Sequence, residues 1–479
     1  MTNKKQCKKE VISVSKSKKY NISKEFKFID LFCGIGGFHY ALTLNEDNET
    51  SNNNKCVLAC DINKECRKTY NDNFKLEPKE DVTELKLAEI EDFDILCAGF
   101  PCQPFSNGGK KESFKDKRGN LFEEIIRIAK DKKPTFMFLE NVKHILKVDK
   151  GNVFKTILTK LREIDYLVCC QILSPHQLGI PQQRERVIFI CIKKDVYEKT
   201  YKTNTTIFTH NDTPTNTETE TETEDVEEES ETKSETKDKP KEEKFNIKLY
   251  NDFNFDLGLD KNIKMKDIFE KQKDIDAKYT INEELKKVLS TWDEMIKEVG
   301  VGEKLSPTIL CHEFNTKIKN SSNKEEFDDK FKKLPTWKKD YIQKNRPLYE
   351  NKKYKSLWDK WYKKHSVLLK KKEIYGKLEW QTGPKKANDS IWNYFIQVRQ
   401  SGIRVKKTNY FPTLVAIVQT PIYGKEKRYI TPRECARLQS FPDTFKLHEK
   451  DNIAYKQFGN AVNVDVIRKI TNLILQNYK

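Results

Sequence analysis

Over the first two hundred residues, apolar positions gather into short unbroken runs separated by stretches with helical spacing. FKFIDLF, from Phe26, is followed by glycines at 34, 36 and 37 and then by periodic apolar residues over Phe38–Leu42, which predicts strand, glycine turn, helix. Further runs at Cys56–Cys60, from Asp94, at Pro134–Leu139, at Leu167–Leu173 and at VIFICI before Lys193 read as buried strands. Between them, Gly119–Phe122 opens an amphipathic helix through Ile128. Strands alternating with helices predict an α/β class built on an open sheet.

Beyond residue 202 the pattern changes. Thr203–Lys244 is Thr/Glu-rich with almost no large apolar residues, so it cannot build a core and is expected to be disordered. From Phe245 to Tyr429 the composition shifts to Lys, Trp and Tyr, with helical periodicity around Ile263–Phe269 and Leu285–Ile296. Lys333–Lys372 interleaves Trp337, Tyr341, Tyr349, Tyr354, Trp358 and Trp361 with lysines, a mixture that suits phosphate contact or, at helical spacing, simply core. Ser390–Gly424 is strand-like, with Arg399, Arg404, Lys406 and Lys407 on its turns. Tyr429–Pro442 predicts a capped helix, with Thr431 as cap and Pro432 in the first turn.

The length of 479 residues allows two or three domains, and 36% hydrophobic content is enough for a core. No apolar run approaches membrane-spanning length, and the Lys-rich start lacks the apolar segment of a secretory signal, so the expected compartment is intracellular. The twelve cysteines are scattered without C-x-x-C pairing and read as reduced thiols. The seven histidines form no ligand-spaced clusters with them, so no metal site is expected. The formal charge is +17, yet residues 211–244 hold 14 Asp/Glu and 5 Lys, a local −9, leaving +26 on the remainder. Such an excess favours a polyanionic partner, although general lysine richness would produce it too. Met1–Lys24 is basic and aperiodic, a disordered arm able to add non-specific contacts.

Candidate chemistry starts at Asp94–Gly109, where an apolar strand runs into Pro101-Cys102-Gln103-Pro104. The two prolines stiffen the loop and place Cys102 at a strand end, where open α/β sheets do chemistry. The alternative for a free cysteine is a small buried apolar residue. The glycine turn lets backbone approach a nucleotide-like ligand, and Asp61 at the tip of the second strand is placed to bond both ribose hydroxyls; a helix N-cap is its alternative. Asp81 admits a turn role. Glu140 ends an apolar strand, where a carboxylate is costly unless paired or used. The alternation Arg184, Glu185, Arg186 predicts both arginines on one strand face, with a buried anionic or carbonyl partner or in a surface ladder.

The string GFPCQPFS, then Glu140-Asn141-Val142, then Gln182-x-Arg184-x-Arg186, in that order, resembles the DNA (cytosine-5)-methyltransferase family of bacterial restriction-modification type. The resemblance covers Phe26–Ile190 and Tyr429–Ile467 with specific motifs and Ser390–Gly424 more loosely, leaving Thr203–Asp389 uncovered. It implies a Rossmann-like S-adenosylmethionine-dependent domain with a second, smaller target-recognition domain. The expected borders are a basic arm over 1–25, a catalytic and cofactor-binding domain over 26–202, an acidic insertion over 203–244, a target-recognition domain over 245–451 and a returning segment over 452–479. By resemblance, Phe32, Gly34, Gly36, Gly37, Pro101, Leu121 and Asn460 line the cofactor with Asp61, and Asp81 and Val82 match the family's third strand end near the adenine amino group. Ile62 lies on the adenine where other members carry an aromatic ring. The segment Lys110–Arg118 corresponds to a loop that closes over DNA, and Thr413-Leu414 to a pair kept in the otherwise variable target domain, where Arg399, Arg404 and Thr413 are the expected DNA contacts. Gly108 stands where some relatives place a serine that helps fill the hole left by a flipped base.

Carbon 5 of cytosine is a poor nucleophile, so the implied chemistry has Cys102 add to C6, Glu140 protonate N3, and Arg186, with Arg184 nearby, hold O2. C6 is hidden in a duplex, which requires base flipping. The implied partners are double-stranded DNA and a restriction endonuclease acting on the same site without a stable complex, for a monomer in the cytoplasm of a prokaryotic or viral host, or in the nucleus only in a eukaryote. A tRNA-acting relative would carry Pro-Pro-Cys and Cys-Phe-Thr, whereas this chain has Gly-Phe-Pro-Cys and no Cys-Phe-Thr. A silent DNA-binding relative would have lost the cysteine or the glutamate.

Overall fold

The computed structural model describes residues 24–45, 51–101, 121–202, 208–210, 247–257, 267–299, 331–336, 339, 352–369, 389–399, 402–406, 411–414 and 420–478. Cys102, Gly108, the arm over 1–23, the loop over 110–118 and residues 211–244 of the acidic stretch lie outside them.

Six of the apolar runs form one sheet: β1 (Lys27–Leu31), β2 (Lys55–Cys60), β3 (Ile95–Ala98), β4 (Phe136–Val142), β5 (Tyr166–Leu173) and β6 (Arg186–Lys193). Their order is β2-β1-β3-β4-β6-β5, with β2, β1, β3 and β4 parallel and β6 antiparallel to both neighbours. The strands are apolar throughout because both faces are covered. On β6, Ile188, Ile190 and Ile192 pack into one core with α1 (Gly37–Thr43) and the C-terminal helix, while Val187, Phe189 and Cys191 pack into a second with α3 (Leu121–Lys132) and α4 (Asn152–Glu163). The second strand leads into α2 (Lys64–Phe74). Since β2 lies on one side of β1 and β3 on the other, the chain reverses direction across the sheet between them. The crevice beyond their C-terminal ends is where such folds bind ligands.

A hairpin corrects the expected insertion border at 203. Residues Phe208–His210 form β7, paired antiparallel with β8 (Phe253–Phe255), and the Phe208 side chain is buried. The short apolar signal of this strand is masked in the sequence by the polar run that follows it. Beside β8, Asp252 and Asn251 bond backbone groups of Val168 and Cys170 and so cover the free edge of β5. Phe255 lies by Gln171 and Asp252 by Val168, so the end of β7 at position 210, paired with Phe253, lies on the side of β5 remote from Leu173 and the strand tips.

A second sheet, β10-β9-β11-β12, is antiparallel and made of β9 (Phe395–Arg399), β10 (Gly402–Lys406), β11 (Ile422–Tyr423) and β12 (Arg428–Tyr429). It shares a third core with α5 (Glu283–Val299) and α6 (Lys352–Lys364), where Trp292 and Trp361 meet at 5.4 Å and the Trp361 indole donates to the Thr291 carbonyl. Trp361 is therefore core rather than a phosphate contact. The expected cap is present on α7 (Pro432–Leu438): Thr431 accepts from Glu434 N, and Glu434 reaches back to Thr431 N while gripping Arg428 with both oxygens. Helices α8 (Asp451–Asn460) and α9 (Val464–Leu475) return to the first sheet. The borders expected at 245 and 452 both fall within packed regions, since Phe253, Phe255, Cys435, Leu438 and Phe441 belong to the first sheet's core.

Candidate active site

Three strand ends and one returning segment converge at the crevice. A Cβ built on Gly99, just past β3, lies 4.0 Å from the Glu140 carboxylate at the end of β4, 4.0 Å from the Phe32 carbonyl past β1, and 3.9 Å from Val462 beyond α8.

On the β1 side, Phe32 turns the chain at φ 55°, in the left-handed region that costs a non-glycine residue about 1–2 kcal/mol. Gly34 follows at φ 54° with nothing within 4 Å of where its Cβ would be, so a ligand can lie against bare backbone there. Gly36 and Gly37 serve another purpose. At Gly36 (φ 86°) a Cβ would fall 2.2 Å from the Phe74 ring, and at Gly37 one would fall 2.9 Å from the Val462 carbonyl, so both are small to let α1 pack.

Asp61 is neither a helix cap nor loose: its carboxylate accepts from Gly34 N and from Asn63 N, each at 2.8 Å, while Asn63 caps α2. Burial raises its pKa, and those two backbone donors and Arg67 oppose the rise. Each oxygen keeps a lone pair able to accept from a ribose hydroxyl. Ile62, beside it, is 68% exposed, an apolar side chain left open at the crevice. Arg67, which sequence reasoning missed, donates to the Asp61 and Ile62 carbonyls at 2.9 Å and fixes both; its place in the first turn of α2 was the available signal. Asp81 is not at a strand end, as the resemblance implied: it caps a single helical turn by accepting from Thr83, and the Val82 side chain is buried in the core. Leu121 begins α3 half-buried, Pro101 is exposed, and Asn460 ends α8 exposed.

On the β3–β4 side, the buried Asn141 donates its amide to the Phe100 carbonyl at 2.9 Å, tying β4 to the segment that leads into Cys102. Glu140, 8% exposed, faces Arg186 Nε at 2.9 Å. Burial raises the Glu140 pKa; the guanidinium charges of Arg186 and Arg184 work against it. Glu140, Arg184 and Arg186 line one recess that opens to solvent and whose apolar wall includes Leu173 and Val462. Arg184 does not share a strand face with Arg186, contrary to the alternation. It lies before β6 because Gln182 bridges Phe411 of the second region, and the ladder with β5 begins only at Arg186.

The expected DNA contacts are placed differently. Arg399 and Gly402 pair across the β9–β10 hairpin, and Arg404 stands half-buried on β10 opposite Gln397. The Thr413 hydroxyl donates to the Gln183 carbonyl at 2.6 Å, stitching the second region to the loop that precedes β6.

A sequence profile of the family described as C-5 cytosine-specific DNA methylase matches residues 26–476. The type II methyltransferase M.BanI of Aneurinibacillus aneurinilyticus is 30% identical over 472 residues, covering 95% of this chain and 96% of that protein. M.HgiCI of Herpetosiphon aurantiacus is 31% identical over 451 residues, 93% of this chain and 96% of the relative. M.HhaI of Haemophilus parahaemolyticus is 40% identical over 187 residues, 38% of this chain and 55% of that protein.

Proposed function

From the premise that the chain belongs to the C-5 cytosine-specific DNA methylases and is a DNA cytosine-5 methyltransferase, we propose that it acts on a flipped-out cytosine through a covalent Cys102–C6 adduct. The observation that carries this reading is the buried Glu140–Arg186 pair, set one residue from the Asn141 bond to the Cys102 segment.

The residues at the β1–β2 tips fit S-adenosylmethionine: Gly34 offers open backbone, Asp61 a fixed acceptor and Ile62 an apolar face. When bound, that cofactor supplies an electrophilic methyl group. The Cys102 thiolate forms the S–C6 bond, the C5=C6 pair shifts to C4=C5, and the N3=C4 pair moves onto N3, which takes the proton of Glu140. Arg186 holds O2, where charge would otherwise gather. With the C4=C5 pair, C5 would then bond the methyl group while the methyl–sulfur bond of the donor breaks and its electrons stay on the sulfur, and the N3 pair would re-form C4=N3. A base removes the C5 proton, the pair re-forms C5=C6, the C6–S bond breaks, and N3 returns its proton to Glu140. The Asp61, Ile62 and Asn460 positions bind and orient the donor but move no proton.

In biological terms the protein marks a short duplex sequence that a separate endonuclease cleaves when unmarked, working as a cytoplasmic monomer. Methyl transfer from tritiated S-adenosylmethionine to duplex DNA and to tRNA tests the substrate class, with label expected in DNA alone. Cys102→Ala is expected to abolish transfer yet keep cofactor binding, and only the wild type should trap DNA containing 5-fluorocytosine. Undiminished transfer by that variant would overturn the covalent reading.

A further inference from the structure

Arg184 and Arg186 sit two residues apart and face the same recess, yet they are held in opposite ways. Arg186 pairs with a carboxylate. Arg184, 2% exposed, gives Nη1 to the Leu414 carbonyl at 2.9 Å and Nη2 to the Gly459 and Ala461 carbonyls at 3.0 Å each. Two segments more than 200 residues away in sequence thus share a single guanidinium. One carries Thr413 and is stitched to the loop before β6 by Phe411 N to Pro181 O and Thr413 Oγ1 to Gln183 O. The other flanks Asn460 and continues into Val462, which packs on Gly37 of the glycine turn.

Neither segment can shift against the other without leaving a buried guanidinium or a buried carbonyl unpaired, which is more costly than the bond itself is worth. A lysine carries the charge but lacks the planar fork that reaches three carbonyls from two nitrogens. We propose that Arg184 is a positioning residue that couples the buried Leu414 segment of the region expected to read DNA to the cofactor wall at Gly459–Ala461, so that occupation of one site strengthens binding at the other. This rests on the methyltransferase reading for what each site holds.

The test is calorimetric titration of the full chain with S-adenosylhomocysteine, alone and with saturating unmethylated plasmid DNA. The wild type is expected to bind more tightly with DNA present, within the roughly 5- to 150-fold usual for coupled sites. Arg184→Lys and Arg184→Met are expected to bring that ratio close to one. An unchanged ratio in either folded variant, or a wild-type ratio of one, overturns the proposal. So does a variant that loses kcat alone with its ratio intact, since that marks a residue acting on the base itself. Should neither Arg184 variant fold, Thr413→Val opens the same seam at the Gln183 bond, and an unaltered ratio there overturns it equally. Absence of any S-adenosylhomocysteine binding by the wild type refutes the cofactor reading itself, whereas binding with an unaltered ratio refutes the coupling alone.

Discussion

The two sheets of this protein solve different problems. The six-stranded sheet is covered on both faces, and its tips carry Gly34, Asp61, Glu140 and Asn141 at positions fixed by backbone bonds. The four-stranded sheet packs on α5 and α6 and leaves Val398 and part of Arg404 open. The proposed chemistry, a proton on N3 and a methyl on C5 of one ring, needs tips that do not move, whereas reading many sequences over evolutionary time needs a surface whose side chains can change without disturbing a core. Substitutions in the first sheet should therefore act on rate or folding, and those in the second on which sequence is chosen.

The harshest test of that division is Glu140→Gln, which removes the proposed proton donor while keeping the volume. Transfer is expected to fall by about 10²- to 10⁴-fold, measured as single-turnover rate. In the wild type, burial raises the Glu140 pKa, so the protonated form persists above the usual carboxylate range and activity falls as pH rises through that value. The variant should lose this alkaline limb. If it kept the limb, another group would supply the proton.

Gly36→Val comes next. It places side-chain atoms where Phe74 already lies and forces a β-branched residue to φ 86°, so a destabilisation on the order of 2–4 kcal/mol is expected, read as a fall in denaturant midpoint. The same change at Gly34, where there is open space, should cost less stability and weaken cofactor binding instead.

In the second sheet, Arg404→Ala and Arg399→Ala are expected to relax one position of the methylated sequence by about 1–3 kcal/mol of discrimination, with kcat unchanged. Bisulfite sequencing of DNA methylated in vitro reads this directly. Uniform weakening on all sequences, with a shallower salt dependence, would assign both to phosphate. Exchanging Ser390–Gly424 for a relative's segment sharpens the comparison further, since it should change the site and not the chemistry.

The smallest effect is expected from deleting residues 211–244. The attachment at β7–β8 lies toward the sheet edge away from the strand tips, so removal should alter stability by roughly 1 kcal/mol or less, the scale of loop-length terms. Methylation rate and site should be unchanged. A deletion that also took Phe208 would cut into the core.

Much of the first region was legible because its signals are local. Apolar runs two faces deep declare buried strands, and Thr431-Pro432 with Glu434 declares a helix start. Resemblance then brought Glu140 and Arg186 together, and the structure pairs them. What stayed hidden depends on distant partners. Arg184 looked like a strand residue until Phe411 pulled Gln182 out of the ladder, and no local pattern shows that Leu414 and Gly459 meet at one guanidinium. Resemblance alone places Asp81 at a strand end, and the alternative its own sequence offers, a turn, is what the structure has, with Val82 buried beside it. Three-residue β7 was lost against the polar stretch it borders.

That hairpin makes the protein unusually receptive to passengers. Its two strands and the Ile247–Asp252 turn hold both ends of residues 211–246 at the β5 edge, so changes of length and composition within 211–246 are expected to leave the strand tips undisturbed. A folded reporter or a sequence-programmable DNA-binding module spliced in there would hang from the back of the enzyme, clear of the crevice, turning a surface hairpin into an attachment socket for directed methylation.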